Sequence, residues 1–282
     1  MTALPRRKVL ITGAAGGMGR ACARLFGAAD DLVLTDVAAD RMEPFAEELR
    51  NDSYNVAAHA GDMSDPALLA ALVKEVSDGK PIALVHTAGL SPALADWKAI
   101  MQVNLVASEL LLNALEPALV AGSAAVLIAS SAGHMRPPVP EIDAALANPL
   151  AEGFLDTIEQ IIVGMSGANS QSGMAGISYT LSKRAIHTLV QRRSQTWGPK
   201  GCRITSISPG MIDTFMGRSE IANTGGAQEL LDATPVERIG TPMDIAMAAH
   251  FLVSDSASFI SGTDLLVDGG GTYGMKAAMA GL

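Results

Sequence analysis

The chain has 282 residues, 49% of them hydrophobic and 17% charged, with a formal net charge of −9. That apolar fraction excludes intrinsic disorder, and the acidic balance excludes a nucleic-acid binder working through clustered Lys and Arg. With only 4% aromatic residues and abundant small ones, close helix–sheet packing is favoured over an aromatic-rich β-sandwich.

In chain order, Arg6 and Arg7 precede an apolar run of only Val9–Ile11, too short for a signal h-region. A soluble cytoplasmic protein without a leader is therefore expected. Short aliphatic runs then alternate with longer amphipathic ones. Strands are predicted at Lys8–Thr12, Leu32–Asp36, Val56–Ala60 and Ile82–Ala88, with helices at Gly17–Ala29, Ala39–Arg50, Pro66–Ser77 and Trp97–Val120 between and after them. The alternation resumes with strand Ala124–Ser130, helix Ser178–Trp197, strand Arg203–Ser208, helix Pro242–Ser254 and strand Asp264–Val267. Near-continuous apolar strands suit a parallel sheet covered on both faces. The βαβα rhythm predicts an α/β fold with right-handed crossovers. No repeat or linker divides the chain, so 1–282 reads as a single domain.

Two segments interrupt the rhythm. The first, 134–175, carries Pro137, Pro138, Pro140 and Pro149, then Gly164, Gly167 and Gly173, with a short helix predicted around Leu150–Val163. The uncharged stretch between Glu159 and Lys183 is too rich in Gly, Ser, Asn and Gln to span a membrane. The second, 211–231, follows Ser208-Pro209-Gly210 and reads as a substrate lid, since long connections in compact domains are commonly binding loops.

Gly13, Gly16, Gly17 and Gly19 fill the turn between the first strand and first helix. Glycine there permits a tight turn and close backbone approach to a diphosphate, and the helix N-terminus offers N–H groups to the anion. An isolated match of this kind is also what an ordinary strand–helix turn looks like. Asp36 follows Gly19 by 17 residues, at the end of the second strand, where a carboxylate can bind both ribose hydroxyls and repel a 2′-phosphate. No Lys or Arg lies within 13–19 or adjoins Asp36, which points to NAD. The plainer reading of Asp36 is an exposed strand-end acid.

Tyr179 and Lys183 stand four apart on a predicted helix and share a face. A phenol, with its pKa near 10, becomes a useful proton carrier when an ammonium lowers that pKa. Ser130-Ser131 ends the fifth strand, on the carboxyl side where doubly wound sheets bind ligands. Without that context Tyr179 and Lys183 would read as a surface pair and the serines as strand-end caps.

Together, Thr12-Gly-x-x-x-Gly-x-Gly19, Ser131, Tyr179-x-x-x-Lys183 and Pro209-Gly210 followed by Thr214 resemble the short-chain dehydrogenase/reductase family. The resemblance runs through to Asp268-Gly269-Gly270. It implies a Rossmann-type doubly wound sheet in three αβα layers and an NAD-dependent oxidoreductase acting on CH–OH groups. It also implies Tyr179 as acid/base, Lys183 as the residue lowering its pKa and holding the nicotinamide ribose, Ser131 orienting the carbonyl, and Asn104 holding a relay water. On the cofactor it puts Asp62 and Met63 at the adenine, Ile212 and Thr214 at the carboxamide, and Met18, Val37, Ala88, Gly89, Pro209 and Gly210 along the remaining surface.

Three departures stand out. His86-Thr87 replaces the family's Asn-Asn, leaving Thr87 to supply a hydroxyl in its stead. The serine is doubled: strand register favours Ser131, while counting back from Gly133 favours Ser130. Ser131 and Tyr179 are 48 residues apart, farther than in most members. The 88–92 segment and the long insertion look most like the bacterial 3α-hydroxysteroid dehydrogenase/carbonyl reductase type, implying a bulky hydrophobic alcohol or ketone. A 3-oxoacyl thioester reductase and a catalytically silent NAD-binding sensor are the alternatives; Asp36 opposes the NADPH of the first and the intact tetrad opposes the second. Family members assemble as homodimers or homotetramers, here through 105–120 and 186–197, with the 271–282 tail available to a neighbour. Cys22 and Cys202 read as buried hydrophobes. The five histidines lack metal-ligand spacing, so no metal, nucleic-acid or membrane partner is expected.

Overall fold

In the computed structural model, which describes residues 6–166, 170–223 and 225–281, the apolar runs become β1 (Lys8–Thr12), β2 (Asp31–Asp36), β3 (Val56–Ala60), β4 (Ile82–His86), β5 (Ala124–Ile128), β6 (Arg203–Pro209) and β7 (Asp264–Val267). They form one parallel sheet of order β3-β2-β1-β4-β5-β6-β7. β4 and β5 are buried along their whole length, as central strands covered on both faces must be. The order reverses between β1 and β4, which opens the crevice where such folds take ligands.

The predicted alternation is observed, with strand ends trimmed where side chains claim the backbone. β4 stops at His86 because Thr87 turns to donate to the Thr12 carbonyl at 2.7 Å. β5 stops at Ile128 because Ser130 caps a 3₁₀ turn over Ser131–His134. The helices of the first half are α1 (Gly17–Gly27), α2 (Ala39–Asn51), α3 (Pro66–Val76), α4 (Trp97–Met101) and α5 (Ala107–Leu115). α3 is capped by Asp65, whose carboxylate accepts from Ala67 N–H at 2.9 Å with Pro66 in the first turn. The single helix predicted over Trp97–Val120 is broken: a π-helical turn, Gln102–Val106, separates α4 from α5, and Pro117 ends the run in a 3₁₀ turn. π turns cluster at functional positions, and this one contains Asn104.

The insertion is largely helical, with α6 (Pro140–Leu146) and α7 (Phe154–Ser166), and α8 (Gln171–Trp197) starts earlier than the predicted Ser178 because Ser170 caps it. Ile158 and Ile162 of α7 are fully buried in the core that includes α8 residues. Arg184 grips Asp143 of α6 through two 2.7 Å bonds. The predicted lid becomes α9 (Phe215–Asn223) and α10 (Gly225–Asp232), followed by α11 (Pro242–Val253) and α12 (Gly271–Ala280). One core packs α3, α5 and α8 on one sheet face, and a second packs α1, α2 and α11 on the other, giving the three layers. Among the described residues no helix is long and apolar enough to cross a membrane.

Candidate active site

The turn after β1 is shaped by backbone contact. Gly13 has φ +65°, and a Cβ there would sit 2.7 Å from the Ala88 nitrogen; at Gly19 it would sit 2.3 Å from the Gly13 carbonyl oxygen. Only glycine fits at either place. The loop opens onto a groove of about 350 Å³, lined by Gly16, Gly17, Met18 and Gly19, by Asp36 and Val37 beyond β2, by Asp62 and Met63 beyond β3, and by Ala88 and Gly89 beyond β4. The donor set fits a dinucleotide: N–H groups at the α1 N-terminus for phosphate and a carboxylate at the β2 end for ribose. Asp36 is held ready, accepting from Ala15 N–H and Ala38 N–H at 2.9 Å each. Asp62 is folded into a turn, accepting from Ser64 N–H at 2.8 Å. Arg41, unmarked in the sequence, also lines this groove, one turn into α2 and five residues past Asp36.

His86 and Thr87 replace the usual asparagines with a working network. The Ser108 hydroxyl donates to the Asn104 carbonyl at 2.8 Å, so it accepts from His86 Nε2, also at 2.8 Å. Nδ1 is then the acceptor for the Thr12 hydroxyl at 2.7 Å. Thr87 donates to the Thr12 carbonyl at 2.7 Å. Burial pushes the His86 imidazole down to about 3, helped by the charge of Lys183. A neutral imidazole and a threonine thus tie β4 to the glycine loop.

The groove continues into a cavity of about 410 Å³. Met18, Thr87, Gly89, Leu90, Thr214 and Met216 line both. Tyr179, Lys183, Ser130 and Ser131 line the cavity, as do Pro209, Gly210 and Ile212. The Lys183 ammonium donates to the Ile128 carbonyl at 2.8 Å and lies 5.8 Å from the Tyr179 ring centre. Burial lowers Lys183 to about 8, while the Glu220 carboxylate pulls it upward. Tyr179 is held above the ordinary phenol value by burial and by Glu220, against a hydrogen bond with Ser130 that favours the phenolate. Strand register favours Ser131, but the serine that acts on the Tyr179 pKa is Ser130; Ser131 is buried and lines the same cavity.

Asn104 lines neither cavity. Its side chain accepts from Leu90 N–H at 2.8 Å and donates to the Leu90 carbonyl at 3.0 Å and to Ser182 Oγ at 3.1 Å. It therefore clamps the loop after β4 onto α8, beside the catalytic turn. From the insertion, the cavity takes Ser172 at the start of α8 and, among the described residues, none of α6 or α7. The 211–231 segment contributes Met211, Met216, Ala227 and Leu230, together with Glu220. Burial raises Glu220, while the neighbouring Ser91 hydroxyl and the charge of Lys183 oppose the rise. Sequence reading missed Glu220 because one acid in a lid has no motif; only the fold aims it at Tyr179.

Residues 7–142 match the family model described as short chain dehydrogenase, and residues 144–272 match that described as enoyl-(acyl carrier protein) reductase. Galactitol 2-dehydrogenase of Rhizobium johnstonii is 28% identical over 282 aligned positions, covering 95% of this chain and 96% of its own. D-threitol dehydrogenase of Mycolicibacterium smegmatis is 28% identical, covering 95% and 94%. A solved 7α-hydroxysteroid dehydrogenase, complexed with NADH and 7-oxo glycochenodeoxycholic acid, superposes with a TM-score of 0.71 at 25% identity, covering 94% and 93%. With the two matched models spanning nearly all of the glycine loop, the Tyr179–Lys183 helix and the lid, the chain belongs to the short-chain dehydrogenase/reductase family, oxidoreductases that act on CH–OH groups.

Proposed function

We propose that the protein interconverts a secondary alcohol and a ketone with NAD(H), on a substrate whose body is bulky and mainly apolar. The observation that carries this reading is the meeting of Tyr179, Lys183 and Ser130 in one cavity whose lining runs on into the dinucleotide groove. The bound nicotinamide supplies the hydride acceptor or donor; the chain's own groups handle the proton. In oxidation Ser130 donates to the substrate oxygen and the Tyr179 phenolate takes the hydroxyl proton; in reduction the phenol returns it. The Lys183 ammonium and the positive nicotinamide ring oppose the burial and the Glu220 charge that hold Tyr179 protonated. Asp36 favours NAD, since its carboxylate stands where a 2′-phosphate would need a cation.

Leu90, Pro92, Ile128, Met211, Met216 and Leu230 give the cavity an apolar lining, and its volume suits a ligand of drug or sterol size. Glu220 adds a charged group to that lining besides Lys183. It supports a substrate bearing a second polar donor, such as a ring hydroxyl, away from the reacting carbon. We further propose that self-association also uses α11, β7 and the connection between them, where Met243, Met247, Phe251, Phe259 and Leu265 are exposed with the three α11 side chains four residues apart. Met247→Glu should then elute as monomer on gel filtration.

Tyr179→Phe tests the central reading. Turnover of hydroxysteroids and simpler hydrophobic secondary alcohols should fall by about 10²–10⁴-fold, while NADH binding followed by fluorescence stays near wild type. Wild-type-like turnover in that variant overturns it, and NADH binding without turnover across the panel in the unmutated protein favours the sensor alternative.

A further inference from the structure

Behind the catalytic turn, three distant parts of the chain converge. His134 closes the 3₁₀ turn after β5, His187 lies one helical turn beyond Lys183 on α8, and Asp264 opens β7. One donor atom from each, two imidazole nitrogens and a carboxylate oxygen, lies within 4.8 Å of the others. His134 Nε2 is 2.8 Å from Asp264 Oδ2, and His187 Nε2 is 3.4 Å from Asp264 Oδ1. The two rings lie 4.4 Å apart between centroids. Nothing in the spacing of these residues along the chain foretold the cluster.

We propose that His134, His187 and Asp264 bind a divalent transition metal ion of the zinc class, as a site separate from the dehydrogenase chemistry. Two imidazoles and a carboxylate are a donor set that suits zinc. Tetrahedral zinc with bonds of about 2.0–2.1 Å sets its ligand atoms roughly 3.3 Å apart, and the imidazole–carboxylate separations, 2.8 Å to Oδ2 and 3.4 Å to Oδ1, are of that order. Small movements of the three side chains therefore complete the set.

The surroundings support an ion rather than a chance meeting. The Asp264 side chain is 9% exposed, and Ser206 donates to its Oδ1 at 2.6 Å, an outer contact of the kind that orients ligating carboxylates. Ser208 Oγ lies 2.9 Å from His187 Nε2 and is available, with solvent, for the fourth position. His134 keeps 28% of its side chain exposed, which leaves a route of entry. The ion would staple the turn carrying Ser130 and Ser131 to α8 and the edge strand β7.

The test titrates zinc chloride into chelator-treated full-length protein by calorimetry, alongside thermal melts. One zinc per chain is expected, with a melting point raised by roughly 5 °C at hundredfold excess over Kd. His134→Ala and Asp264→Asn should each weaken binding by about a hundredfold or more. His134→Ala, at the most exposed ligand, keeps the test valid if Asp264→Asn fails to fold. No saturable binding to the unmutated protein, or affinity unchanged in His134→Ala, overturns the proposal, and neither outcome depends on enzyme activity.

Discussion

Glu220 faces Tyr179 across the substrate cavity and works against it: its negative charge, added to burial, holds the phenol above its ordinary pKa. A like charge disfavours the phenolate that alcohol oxidation requires, so the carboxylate is poorly explained as part of the proton machinery. It is better explained by the substrate, which would occupy the cavity that both residues line and offer the acid a hydroxyl. In oxidation, kcat/KM rises with pH as Tyr179 deprotonates. Removing the negative neighbour lowers the phenol pKa, so Glu220→Gln should move that limb to lower pH, by on the order of one unit. The same variant should lose kcat/KM on substrates carrying a second hydroxyl while sparing mono-alcohols. An unmoved pH limb with an unchanged diol preference would remove Glu220 from both roles.

Ser130 and Ser131 separate by their partners. Ser130 lowers the Tyr179 pKa against burial, and its Oγ accepts from Ala132 N–H at 3.2 Å. Ser130→Ala should therefore cost about 10²-fold or more in kcat, and Ser131→Ala clearly less. Steady-state kinetics on both variants with one alcohol decides it; the reverse ranking returns the role to the residue that strand register favours.

At the ribose, Asp36 and Arg41 line the same groove with opposite charge. Asp36→Asn keeps one acceptor oxygen, so it loses one of the two N–H bonds from Ala15 (to Oδ2) and Ala38 (to Oδ1), but it removes the charge that repels a 2′-phosphate, leaving Arg41 to attract one. The ratio of kcat/KM for NADP over NAD should rise by about tenfold or more, a change of roughly 1.4 kcal/mol. Adding Arg41→Ala should reverse most of the gain. An unchanged ratio would place cofactor choice elsewhere.

What the sequence made legible follows from which interactions are local. The strand–helix alternation, the glycine loop and the Tyr179–Lys183 spacing depend on neighbours a few residues apart, and the fold contains them with small shifts at element ends. The choice between Ser130 and Ser131 rests on how a 3₁₀ turn leaves β5, and periodicity cannot register a one-residue change of turn. Glu220, Arg41 and the His134–His187–Asp264 cluster are tertiary facts: their meaning arises when a lid, a helix start and an edge strand are brought to places that sequence separation conceals. Asn104 falls between these cases. Its position was readable, but its work on the Leu90 backbone depends on the π turn that interrupts the predicted helix.

His86 gives the last prediction, one of stability. Folded, its imidazole is buried between Thr12 and Ser108 and pushed down to about 3; unfolded, it titrates near 6.5. A depressed histidine is neutral in the native state over a range where the unfolded chain binds a proton. Between about pH 6.5 and 3 the unfolded state therefore carries the extra proton, and stability rises with pH. This single group tilts the unfolding free energy by up to about 1.4 kcal/mol per pH unit across that window and contributes no slope above it. Urea melts of the native sequence and of His86→Asn, at pH 5 and pH 7.5, separate this effect from general acid sensitivity. The variant should lose stability at pH 7.5 through its altered bond to Thr12 or Ser108, yet show a shallower fall on acidification. Parallel falls in the two proteins would mean that His86 is already protonated, or solvated, in the folded state.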